Sequence, residues 1–115
     1  AQMKTIMDAT GGLWQNGGLV GKSAGVFQST GTMQGGQESV GINCMSFFAH
    51  QGMIFIPLGY TDPQAFSYDE IHGASPWGSG TYAGPDGSRQ PTVMELSIAE
   101  NHGKHFATLT EKLSR

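Results

Sequence analysis

A chain of 115 residues has room for one domain or part of one. Its 37% hydrophobic and 10% aromatic content argues against disorder, and a net charge of −3 without any basic cluster argues against a nucleic-acid surface. Only 13% of residues are charged, against roughly 25% in an average soluble domain, so much of the surface is expected to be covered by a ligand or by other subunits.

Met3, Ile6, Met7, Thr10, Leu13 and Trp14 recur at the spacings of a helix. Gly11 and Gly12 interrupt the run, so a helix is expected over about residues 1–10, with a turn carrying Leu13 and Trp14. Asn16-Gly17-Gly18 is a further turn. Gly21-Lys22-Ser23 resembles the tail of a phosphate-binding loop, but the earlier glycine that pattern requires is Asn16, and the triplet precedes a strand instead of following one. It reads as a turn. Ala24 to Gln28 reads as a buried strand that empties into the loop Ser29-Thr30-Gly31-Thr32-Met33-Gln34-Gly35-Gly36. Gln37 to Gln51 reads as a helix with Val40, Cys44, Phe47, Phe48 and Gln51 on one stripe and Gly52 as its C-terminal cap. Met53 to Leu58 is a second strand, apolar without alternation, the pattern of a strand buried on both faces.

Gly59 to Gln90 is rich in Gly, Pro, Ser and aromatic residues, with a turn at Pro85-Asp86-Gly87. Structureless loops of this length are uncommon inside compact domains unless they are functional. Thr92-Val93-Met94-Glu95, just after Pro91, is a capping box. It opens a long helix with Leu96, Ala99, His102, Phe106, Leu109 and Leu113 along one stripe. Strand, helix, strand with short connections means a parallel crossover, right-handed by the usual rule. Two parallel strands are too few for a stable doubly wound sheet, so the chain is expected to be the later part of a larger α/β domain. It opens on Ala1 instead of Met, which also suggests a processed or cut piece.

The loop Ser29 to Gly36 offers the chemistry of a ligand site. Its glycines let backbone approach a flat ligand, and its Ser and Thr hydroxyls donate and accept. It lacks Lys and Arg, so a polar heterocycle suits it better than a bare phosphate. On chemistry alone, a ligand loop and an ordinary strand-to-helix turn stand level. Trp14 alone reads as packing or interface, and His50 as a histidine satisfying carbonyls at a helix end. His102 and His105 lack the company of carboxylate or Cys that a metal site needs. Cys44 reads as inert core. As the single cysteine it excludes a disulfide framework and suits a reducing, cytoplasmic setting. The longest apolar run, Met53 to Leu58, is too short to span a membrane, and no signal peptide is visible.

The segments A-Q-M-K-T-I-M-D-A-T-G-G-L-W, G-V-F-Q-S-T-G-T-M-Q-G-G-Q-E, A-H-Q-G-M, I-P-L-G-Y, G-P-D-G-S-R-Q-P and E-L-S-I-A occur in order along the chain. Together they resemble the WrbA family of flavodoxin-like, FMN-dependent NAD(P)H:quinone oxidoreductases, fungal members above all. The resemblance covers essentially all 115 residues. It implies an α/β, flavodoxin-like parallel sheet with flanking helices, of which this chain is the C-terminal part. It implies that Ser29, Thr30, Gly31, Thr32, Met33, Gln34 and Gly35 wrap the isoalloxazine ring of FMN, with His50 beside the flavin. Trp14 then lines the pocket where nicotinamide or quinone stacks. In the family the segment around His50 often reads A-H-H-G, and here Gln51 replaces the second histidine. The loop is one residue longer than in some bacterial members.

The resemblance further implies NAD(P)H as co-substrate, two-electron reduction of a quinone by ping-pong hydride transfer, and a homo-tetramer with sites near subunit boundaries. No catalytic side chain and no metal are implied. Family members hold the FMN phosphate in an N-terminal loop that these residues do not contain, so weak FMN retention is expected of this piece alone. Two alternatives follow: a non-catalytic C-terminal fragment of such an enzyme that does not hold FMN, and a flavodoxin-type electron carrier. The Trp14 pocket and the Gly59 to Gln90 excursion argue against the carrier.

Overall fold

Backbone pairing begins where the chain is most extended, between Ser23 and Thr30. The computed structural model describes residues 1–114. Strand β1 (Ser23–Ala24) pairs in parallel with β3 (Ile54–Phe55), and β2 (Gln28–Thr30) pairs in parallel with β4 (Gly80–Tyr82). Ile54 and Ile56 N–H donate to the Lys22 and Ala24 carbonyls. Gln28 N–H donates to Ser79 O, and Ala83 N–H to Thr30 O. Every residue of the 22–30 stretch used here is even-numbered. In a pleated strand that places both partners along one edge, so β1 and β2 are two halves of one extended run. Their shared partner strand is interrupted by the excursion between β3 and β4. The opposite edge, presented by the odd-numbered residues, has no strand beside it among the described residues.

The parallel crossover expected from the sequence is therefore present, but strand β4 is an addition. It lies inside the stretch read as a loop, where Gly80-Thr81-Tyr82 is too short to carry a period. The excursion also contains a single 3-10 turn, Pro63–Phe66, capped by Asp62. It is closed at its base by Gly59 N–H donating to Pro76 O over 2.8 Å.

The alternation along the extended run corrects the expectation of a fully buried strand. Ala24 and Val26 are buried, whereas Gly25 and Phe27 are exposed, Phe27 to 84%. Likewise Ile56 and Leu58 are buried but Ile54 is exposed. Each strand is covered on one face over part of its length. The core on that covered face consists of Ala24, Val26 and Phe48, with Cys44, Met45, Phe47, Met53 and Phe55 packed against it. Cys44 thus takes the packing role expected of it.

Helix α3 (Gln37–Gln51) has the bounds expected from the sequence. Gly52 stops it in the left-handed conformation, φ 71°, while its N–H and that of Met53 close the last turn onto Ala49 and Phe48 carbonyls. Phe48 and Gln51 face inward as expected, but Val40 faces solvent and Gly41 takes its place. A Cβ on Gly41 would stand 3.0 Å from Trp77 Cβ, so the missing side chain lets Trp77 of the excursion lie against the helix and stack on Phe55.

Helix α4 (Val93–Leu113) opens with the full capping box: Thr92 Oγ1 accepts from Glu95 N–H, and Glu95 Oε2 accepts from Thr92 N–H. Its buried face is Glu95, Ile98 and His102, one position round from the stripe of leucines. Leu96 and Leu113 are exposed. The charged Glu95 displaces them because it carries the excursion. It accepts from Gly73 N–H at 3.1 Å, Thr81 Oγ1 at 2.7 Å, and both Arg89 terminal nitrogens at 3.1 Å. Burial alone would raise its carboxyl pKa, but the hydrogen bonds from Arg89, Thr81 and the backbone outweigh it and hold the group below the usual carboxylate range.

The N-terminal stretch forms α1 (Gln2–Asp8) and a second short helix, α2 (Gly11–Gln15), where a turn was expected. Trp14 N–H donates to Thr10 O, so the two glycines are carried within the helix instead of ending it. No residue of either helix is buried. The whole is a slab of 46 × 33 × 18 Å with a radius of gyration of 15.1 Å, against about 13 Å for a compact chain of this length. No described helix is long and apolar enough to cross a membrane.

Candidate functional site

Parallel strands β2 and β4 end side by side at Thr30 and Tyr82. The loop Gly31 to Gly36 leaves from that end, the position at which open α/β sheets bind ligands. The loop is shaped by its own groups. Thr30 Oγ1 donates to Thr32 O at 2.8 Å, and Gly35 N–H donates to the same carbonyl at 3.1 Å. Gly35 can only be glycine here, since a Cβ would meet Thr32 O at 2.8 Å. Gln34 has φ +57°, the one described non-glycine residue in the left-handed region, and such residues cluster at ligand sites.

Two clefts flank the loop. One, of about 330 Å³, is lined by Gln34, Gly36, Gln37, Ser39, Ser75 and Tyr82 among others. The other, of about 410 Å³, is lined by Gly31, Thr32, Met33, Ile71, Tyr82 and Arg89 among others. The structure thus brings the residues from Gly31 to Gln34 together around open space. Ser29 and Thr30 form the strand beneath them.

Sequence reasoning missed three residues here. Tyr82 separates the two clefts, with its hydroxyl donating to His72 O at 3.0 Å and the Arg89 guanidinium 5.7 Å from its ring centre. Gln37 ties the start of α3 to β4 through Nε2 donating to Thr81 O at 2.8 Å. Arg89 was within reach of the sequence, since it lies in G-P-D-G-S-R-Q-P. Tyr82 was not, because the strand carrying it has no sequence signal.

His50 and Trp14 lie elsewhere. His50 is thirteen residues along α3 from the loop, roughly 20 Å at the rise of a helix. It is exposed, and Nδ1 lies 2.8 Å from Ser46 O. A carbonyl only accepts, so Nδ1 carries the proton and Nε2 faces outward. Trp14 is at the same end of the molecule, since Thr10, the residue before α2, is bonded to Gln51 at the end of α3. Trp14 is 58% exposed. Within one chain the loop and the Trp14–His50 pair therefore lie at opposite ends of α3.

A third cleft, of about 460 Å³ and mostly apolar, lies between the odd-numbered face of the extended run and α4. Phe27, His102 and Phe106 line it, and none of the expected site residues does. His102 is buried, and Ser79 N–H donates to its Nδ1 at 3.3 Å, so the neutral ring carries its proton on Nε2. Burial, and then the charge of His105, push its pKa down.

The loop fits the edge of a flat heterocycle. From Ser23 to Gln37 there is no charged side chain, and the nearest cation, Arg89, is committed to Glu95. It does not fit a phosphate.

No family model matches the chain. Individual relatives do. It is 52% identical to an NAD(P)H quinone oxidoreductase of Candida albicans, over 96% of this chain and 56% of that protein. It is 47% identical to a quinone-oxidoreductase of Triphysaria versicolor, over 100% of this chain and 57% of that protein. It is 54% identical to a minor allergen of Alternaria alternata, over 92% of this chain and 53% of that protein. The chain spans just over half the length of each of these three relatives. It is therefore related, over essentially its own whole length, to proteins named as NAD(P)H quinone oxidoreductases, as the resemblance in its sequence led us to expect.

Proposed function

We propose that the chain carries one wall of the active site of an FMN-dependent NAD(P)H:quinone oxidoreductase of the WrbA type. The observation that carries this reading is the uncharged loop Ser29 to Gly35 at the carboxyl ends of two parallel strands, in a chain half identical to named quinone oxidoreductases. FMN, when bound, supplies two-electron hydride chemistry between NAD(P)H and a quinone. This chain's residues do the positioning. Backbone N–H groups of the loop bind the ring edge, and the Ser29, Thr30 and Thr32 hydroxyls complete its polar contacts.

His50 and Trp14 belong to the same site only if a second copy supplies them. Their exposure, and that of Met3 and Ile6 on α1, support a homo-oligomer, with a homo-tetramer as the expected form. Since Nδ1 of His50 is committed to Ser46 O, His50 can donate to an anionic ligand atom only as the imidazolium. Trp14 offers a flat face against which nicotinamide or quinone stacks, which fixes the reacting distance.

The experiment is to add FMN to the purified chain, measure retained yellow colour, and follow NADPH-dependent reduction of benzoquinone. Colour with turnover supports the reading. A colourless, inactive chain removes catalysis by this piece alone and leaves the family reading intact. In the flavin-loaded protein, Trp14→Ala is expected to lower kcat/KM for quinone about tenfold, equivalent to roughly 1.4 kcal/mol, while FMN affinity stays within about threefold. Equal loss of both would remove Trp14 from the stacking role.

A further inference from the structure

The histidine replaced at position 51 raises a question that the packing of Gln51 answers. Gln51 is 6% exposed at the last turn of α3. Its Nε2 donates to Thr10 Oγ1 at 2.8 Å. The Thr10 hydroxyl spends its own proton on Met7 O at 2.6 Å, so it can only accept from Gln51, and the amide cannot be turned round. Gln51 Oε1 is left buried with no partner. Thr10 is also the N-cap of α2, without a side-chain capping bond, and its carbonyl accepts from Trp14 N–H at 3.1 Å. A path of two hydrogen bonds through Thr10 therefore joins the end of α3, one residue from His50, to the helix that carries Trp14.

We propose that Gln51 is a positioning residue: through Thr10 it fixes α2, and so Trp14, relative to His50. This rests on the reading of Trp14 and His50 as site residues. The alternative, a purely structural tie, fits poorly. An amide satisfied at one end and buried unsatisfied at the other contributes little net stability, and an apolar residue of similar shape serves the fold as well. The bond that Gln51 makes is the only hydrogen bond from the α3 terminus to Thr10 among the described residues, and α2 itself buries no residue.

The test uses backbone order parameters from NMR on the intact chain, with the Trp77 amide as control in the same molecule. Rigid backbone gives about 0.85 and flexible backbone below about 0.6. In Gln51→Leu the Trp14 amide is expected to fall toward the flexible value while Trp77 is unchanged and the thermal midpoint is not lowered. Thr10→Val removes the same bond from its other end and is expected to loosen Trp14 in the same way, which keeps the test intact if Gln51→Leu folds poorly. Gln51→His, read at about pH 8 where a neutral ring still offers one N–H, is expected to hold Trp14 in place. An unchanged Trp14 in both Gln51→Leu and Thr10→Val overturns the proposal, as does parallel loosening of Trp14 and Trp77, the mark of general destabilisation. In the flavin-loaded protein, Gln51→Leu is expected to raise KM for quinone about tenfold with kcat within about threefold. A loosened Trp14 with unchanged KM upholds the positioning by Gln51 and overturns the role of Trp14 in the site.

Discussion

Gly78→Ala is expected to unseat the excursion from the sheet. A Cβ on Gly78 would stand 1.8 Å from the Val26 carbonyl oxygen and 2.9 Å from its carbon, both backbone atoms of the extended run. No rotamer relieves such a contact, so the backbone must separate, at a cost of about 3 kcal/mol or more. The separation falls at Ser79 and Gly80, where β4 begins, so the pairing with β2 is lost with it. Urea unfolding should show a large drop in midpoint, and the near-ultraviolet signal of Trp77 should weaken. Gly103→Ala is the control: it sits inside α4 with nothing within 4 Å of the added carbon, and is expected to stabilise by about 0.5–1 kcal/mol through helix propensity. Loss of stability in both variants alike would remove the steric argument.

Glu95→Gln is expected to be nearly as damaging although it is close to isosteric. The carboxylate accepts from Arg89, Thr81, Thr92 and Gly73. An amide keeps one acceptor and turns an NH₂ group toward donors, leaving the Arg89 charge without its partner. Breaking a buried pair from one side costs about 3 kcal/mol or more, and the partial exposure of Arg89 keeps the expectation at the lower end of that range. The pH dependence follows from the direction of the shift. Because the folded carboxyl lies below its unfolded value of about 4.3, its contribution is fully present above that pH. It is lost as pH falls through the folded value. Thermal melts of the parent chain should therefore fall more steeply below about pH 4 than those of Glu95→Gln. Identical acid profiles would show that Glu95 is not the group responsible.

The helices were legible because their ends carry chemistry: Thr92 and Glu95 at the start of α4, Gly52 at the end of α3. The loop Ser29 to Gly35 was legible because apolar residues give way to small polar ones without a charge. What escaped the sequence was non-local. Strand β4 is three residues long, and its existence depends on Gly73, Gly78 and Gly80 lying against other backbone. In sequence these glycines read as loop flexibility, whereas in space they are points of close contact. The inward face of α4 was misassigned because a Glu next to a helix start reads as a cap. Its second role needs Arg89, which belongs to another element. The separation of His50 from the loop was implicit in the length of α3, since thirteen residues of helix stand between them.

The odd-numbered edge of the extended run also has a consequence for how the molecule behaves at high concentration. Phe27, on this run, is 84% exposed on the face toward α4, and no Lys or Pro occurs from Ser23 to Thr30. Those are the devices by which natural edges discourage further pairing. Any polypeptide that presents a matching extended segment meets open donors and acceptors there with no electrostatic barrier. The backbone groups of the 23–30 segment are thus a route to self-association of the isolated chain. A single lysine in place of Phe27 would address it without touching the loop.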